Sequence, residues 1–129
     1  MHVAFDLDGT LDTATTEMQS LLARLKAGGD NISIVTGCSG PVPTEQDYLD
    51  KADYLRSLGF DSLYHWLIVI GDPPHARKAD VCAHGLNEIV GKLHVQVPKV
   101  DILFDNSLQN ARLCSQHCLV MVPWNTVQD

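Results

Sequence analysis

The stretch that decides the fold is His2-Val3-Ala4-Phe5-Asp6-Leu7-Asp8-Gly9-Thr10-Leu11. A short apolar run closed by an acid and followed by a glycine predicts a buried strand over His2–Asp6 that ends in a sharp turn. A core-facing pattern gives no packing reason for Asp6 and Asp8, and burying them is costly without a cation. With Gly9 letting the chain turn sharply, the two carboxylates could share a divalent metal while one attacks an electrophile and the other handles protons. A lone acidic turn reads more readily as a solvated helix cap, so the other strand ends must decide.

Downstream, short Val/Ile/Phe-rich segments alternate with helical patterns, which predicts a parallel sheet covered on both faces. The remaining strands are expected at Ile32–Thr36, Tyr64–Ile70, Val100–Asp105 and Cys118–Val122, making an α/β/α sandwich on a five-stranded parallel sheet. A first helix carries Met18, Leu21, Leu22 and Leu25, with Thr16 and Gln19 as a capping box and Gly28-Gly29 as the stop. A second begins at Thr44 with Asp47, turns Tyr48, Ala52 and Leu55 inward, and ends at Gly59. A third sets Cys82, Leu86, Ile89 and Leu93 on one stripe, and a shorter fourth spans roughly Ser107 to Ser115. The loops Gly37 to Pro43 and Gly71 to His75 then overhang the carboxyl ends of the strands, where open parallel sheets bind ligands.

Composition agrees with one domain over residues 1–129: 45% hydrophobic residues are enough for a core, and 19% charged residues argue against disorder. The net charge of -7 opposes tight binding to a phosphate backbone. Thirteen of the sixteen acids are Asp, a residue suited to caps, metals and phosphoryl chemistry. The longest strongly apolar run, Trp66–Ile70, falls far short of the roughly twenty residues of a membrane helix. Without a recognisable secretion signal the expected location is cytoplasmic, and Cys38, Cys82, Cys114 and Cys118 are expected as thiols.

Three further strand ends carry chemistry. Thr36 and Gly37 bring a hydroxyl and a backbone amide to the sheet edge, a pair suited to a phosphate oxygen. Asp105 is a third carboxylate at a third strand end. Lys78 follows the loop after the third strand, near a helix start, where a cation opposes the dipole unless an anion is bound. Singly these read as a cap, a surface lysine and a helix N-cap. Their shared placement at one edge is what points to a site.

On these residues the chain resembles the haloacid dehalogenase-like phosphohydrolase superfamily. The family's four motifs occur in order, as Asp6-Leu7-Asp8-Gly9-Thr10, Thr36-Gly37, Lys78 and Asp105-Asn106. The resemblance implies Asp6 as the nucleophile that becomes an aspartyl phosphate, and Asp8 as general acid and then general base. It further implies Mg2+ between Asp6, the backbone carbonyl of Asp8, and Asp105, with Thr36, Gly37 and Lys78 holding the phosphoryl group. One departure concerns the second acid that many relatives carry in the fourth motif, since Asn106, Gln109 and Asn110 occupy those places; weaker metal affinity is expected.

Neither usual cap insertion is visible, so the likeness is to capless members, which act on large substrates or borrow a neighbouring subunit as a lid. Some of these dephosphorylate nucleic-acid ends, and His75, Arg77 and Lys78 keep that as a second reading, which the net acidity opposes. A third is a catalytically silent binding protein that keeps the fold, against which the presence of both Asp6 and Asp8 counts. A receiver domain is disfavoured, because Gly71-Asp72 follows the third strand but the Thr and Lys that would complete its pattern are missing. No GxxxxGK[ST] loop occurs. Cys114-Ser115-Gln116-His117-Cys118 lacks a second ligand pair for zinc. Cys38 is expected as an inert loop thiol, and Trp66 and Trp124 as packing residues.

Overall fold

The computed structural model describes residues 1–90 and 93–123, and side chains outside 88–94. In chain order the elements are β1 (His2–Phe5), α1 (Thr15–Ala27), β2 (Asn31–Gly37), α2 (Glu45–Ser57), β3 (Trp66–Ile70), α3 (Pro74–His84), β4 (Leu86–Val90), β5 (Leu93–Val97), β6 (Ile102–Phe104), α4 (Leu108–Cys114) and β7 (Leu119–Met121). Trp124 lies outside the described residues.

All four residues of β1 are buried, as expected of a strand covered on both faces. β1 pairs in parallel with β2 on one side and with β6 on the other. Adding β3 and β7 gives a five-stranded, all-parallel sheet in the order β3-β2-β1-β6-β7. The alternation of side chains along each strand splits the core in two. Val3, Phe5, Ile32 and Ile34 pack with Leu22 of α1 and Leu55 of α2, whereas Ala4, Val35 and Leu103 pack with Val81 of α3 and Cys114 of α4. The result is a Rossmann-like three-layer sandwich, with no cap evident among the described residues.

The expected third helix is too long. It stops at His84, and the region expected to continue it forms an antiparallel hairpin of β4 and β5. Gly85 explains the stop, because its φ of 69° lies in the region that disfavours other residues and a Cβ there would come within 2.0 Å of the Val97 carbonyl oxygen. The stripe Cys82, Leu86, Ile89 and Leu93 therefore fits helical spacing without being helical beyond Cys82.

Smaller corrections concern helix ends. α1 begins after Ala14 without a side-chain cap, so the Thr16 and Gln19 box does not form; Gln19 Nε2 instead donates to the Leu58 carbonyl at 2.6 Å. The Thr44 box at α2 does form, with Asp47 N donating to Thr44 Oγ1 at 3.2 Å and Thr44 N to Asp47 Oδ2 at 2.7 Å. Tyr48, expected inward, is 40% exposed, and Leu55 carries the inner face of α2. Trp66 is half-buried against the core. No helix among the described residues is long and apolar enough to cross a membrane.

Candidate active site

The register of the central strands assembles the site. Phe5 pairs with Phe104, their rings stacked with centroids 4.8 Å apart, so the next residues, Asp6 and Asp105, leave adjacent strands side by side. This is where the strand order reverses, with β2 on one side of β1 and β6 on the other, the usual place for a ligand crevice in an open α/β sheet. Asp6 N donates to the Phe104 carbonyl at 2.8 Å, and Asp105 N to the Met121 carbonyl at 3.1 Å, which fixes both strand ends.

Lys78 rises from the second turn of α3 and is only 3% exposed. Its Nζ donates to Asp6 Oδ1 at 2.9 Å and to Asp105 Oδ2 at 2.8 Å. The reading of Lys78 as a solvated surface side chain is thus corrected, and the anions at its helix are two carboxylates. Burial would depress the lysine, but Asp6 and Asp105 outweigh it and hold the ammonium above its ordinary range. For Asp6, burial dominates: despite Lys78, and with Asp105 adding repulsion, its pKa is pushed up to about 6.

Polar neighbours orient Asp105. Asn110 Nδ2 donates to its Oδ2 at 2.9 Å, Ser107 N donates to its Oδ1 at 2.9 Å, and His75 Nδ1 contacts Asn110 Oδ1 in turn. Ser107, rather than Asp105, caps α4, its Oγ accepting from Asn110 N at 3.2 Å. Asn106 is buried against Gly9, whose φ is 83° and whose Cβ, if it had one, would lie 2.2 Å from Asn106 Nδ2. Glycine is required there twice over, by conformation and by space.

Not every expected residue faces the centre. The Asp8 side chain is largely exposed and accepts from Lys51 Nζ of α2 at 3.1 Å. Thr36 is buried at the end of β2. Its Oγ1, like that of Thr10, has no hydrogen-bond partner among the described residues, an arrangement that buried hydroxyls seldom adopt. Gly37 borders a cleft of about 380 Å3, together with Cys38, Ser39, Asp47, Asp50, Lys51 and Tyr54. Arg77 is exposed and lines a different groove, beside Ile70 and Pro41.

Neither a family model nor a curated protein matches this chain.

Among the described residues no three His, Cys, Asp or Glu side chains form a metal cage. A site built from two carboxylates and a backbone carbonyl does not need one. Two buried carboxylates face a single ammonium, which leaves one formal negative charge uncompensated, and the Asp105 charge adds to the burial that mainly raises the affinity of Asp6 for a proton. The donor set is hard oxygen, so Asp6 and Asp105 fit Mg2+. Sequence reasoning missed Lys51, because nothing in α2 signals which turn of β1 it faces, and it saw Asn110 only as a missing acid.

Proposed function

We propose that this protein is a phosphomonoesterase of the haloacid dehalogenase-like type, working through an aspartyl phosphate on Asp6. The observation that carries the reading is the meeting of Asp6, Asp105 and Lys78 at the reversal point of the sheet, with the Thr36 hydroxyl lacking a partner among the described residues. A phosphoryl group entering there has a nucleophilic carboxylate, a cation and a hydroxyl donor around it. Phosphoryl transfer is catalysed mainly by such positioning and charge compensation.

Asp6 and Asp105, with the Asp8 carbonyl, would hold Mg2+, which would neutralise charge at the transferring phosphoryl group. Lys78 binds its oxygens, Thr36 donates to it, and Asn110 with Ser107 holds Asp105 in orientation. Asp6 Oδ attacks phosphorus as the ester oxygen departs. Asp8 protonates that oxygen and afterwards takes a proton from the attacking water, for which its side chain must exchange Lys51 for the leaving group. Asp47 and Asp50 along the adjoining cleft favour a small substrate over a phosphate backbone.

The test is hydrolysis of an aryl phosphate by the purified protein. Turnover is expected with Mg2+, and none with a chelator or in Asp6→Asn. Undiminished turnover in that variant removes Asp6 as the nucleophile, and failure of the folded wild type on a broad phosphomonoester panel removes the activity.

A further inference from the structure

Three of the four cysteines meet on the α3 and α4 side of the sheet, away from the loop that carries Cys38. Cys82 and Cys114 are fully buried in one core cluster, and Cys118 packs against it from a half-buried position. They come from the third turn of α3, the end of α4 and the segment just before β7. The Cys118 thiol donates to the Cys114 carbonyl at 3.6 Å, and both of these cysteines act on the titration of Cys82. Cys38, by contrast, donates to the Gly40 carbonyl at 3.5 Å.

Thiols gathered into one core cluster from neighbouring elements need little backbone movement to join, and such movement is the main geometric barrier to a disulfide. A soft metal fits less well, since no cage geometry is present among the described residues. Access separates the two possible partners of Cys82: Cys118 is half-buried and reachable, whereas Cys114 is closed off. Proximity polarises the pair in the same sense. Hydrogen bonding from Cys82 holds the Cys118 thiol below its ordinary range, and donating those bonds holds Cys82 above it.

We propose that Cys82 and Cys118 are an oxidisable pair that takes up an intramolecular disulfide from a low-molecular-weight disulfide. The Cys118 thiolate attacks one sulfur of the small disulfide, forming a mixed disulfide and expelling one small thiolate. Cys82 then loses its proton and attacks the Cys118 sulfur, expelling the second small thiol. The two protein thiols lose two electrons and two protons, and the small disulfide gains both. The new bond staples α3, one turn beyond Lys78, to the segment entering β7.

The test is incubation of the folded protein with oxidised glutathione, acid quenching, alkylation and mass analysis after trypsin. The expected product joins peptide 79–92 to peptide 113–129 with the loss of two hydrogens, in the wild type, Cys38→Ser and Cys114→Ala. It is absent in Cys118→Ser, a half-exposed change that the fold tolerates, and the oxidised wild type melts at a higher temperature than the reduced. Four fully alkylated thiols overturn the proposal. So does glutathione left on Cys118 without Cys82 joining it, or a link that survives in Cys118→Ser.

Discussion

Replacing Asp6 by Asn should make the metal-free protein more stable at neutral pH, although the residue sits at the centre of the proposed site. Burial is the main reason that its pKa rises from 3.8 to about 6, with Lys78 opposing and Asp105 reinforcing. At about 1.4 kcal/mol for each tenfold change in proton affinity, that rise corresponds to about 3 kcal/mol by which the ionised carboxylate disfavours the fold. A folded value above the unfolded one means that the stability tied to this group is complete below the unfolded value and is lost as pH rises through about 6. Asn copies the neutral carboxyl in shape and charge, so its advantage should be full above about pH 7 and vanish below about pH 4. Urea unfolding with a chelator, at about pH 7.5 and again at about pH 4, measures this. With a slope of about 1.5 kcal/mol per molar, the midpoint should move up by about 2 M at the higher pH and hardly at all at the lower. Excess Mg2+ should then stabilise the wild type and leave the variant unchanged. An Asp6→Asn protein less stable than wild type at neutral pH, or one with the same gain at both pH values, would refute the reasoning.

Three other substitutions probe the same centre. Lys78→Met leaves Asp6 and Asp105 buried without their shared ammonium and should cost about 3–5 kcal/mol at neutral pH, measured by urea unfolding, with partial recovery in acid. Thr36→Val removes a buried hydroxyl that has no partner among the described residues, so stability should hold or rise by about 1–2 kcal/mol while aryl phosphate turnover falls at least about tenfold. Lost stability with unchanged turnover would make that hydroxyl structural. Gly9→Ala forces a positive φ on alanine and drives its Cβ into Asn106, and calorimetry should show a loss of about 1–3 kcal/mol.

Much of the fold was legible because its signals are local. The apolar runs before Asp6, Thr36 and Asp105 mark strands wherever they sit in space, and Thr44 with Asp47 marks the start of α2 through bonds three residues apart. The third helix was misread because Cys82, Leu86, Ile89 and Leu93 satisfy a helical period, and periodicity does not register that Gly85 approaches the Val97 carbonyl. The acids of the site were legible too, since carboxylates at the ends of buried strands have no packing purpose.

The sequence by itself determined that Asp6, Thr36 and Asp105 end parallel strands and therefore reach one edge, because strand direction and the two-residue alternation are properties of the chain. Only the tertiary structure decided that Lys78, 72 residues from Asp6 and 27 from Asp105, bonds both of them. It alone turned the Asp8 side chain to Lys51 and gathered Cys82, Cys114 and Cys118 into one part of the core. Those meetings depend on how α2, α3 and α4 pack on the sheet, and packing is set by the shape of the whole core rather than by any local run of residues.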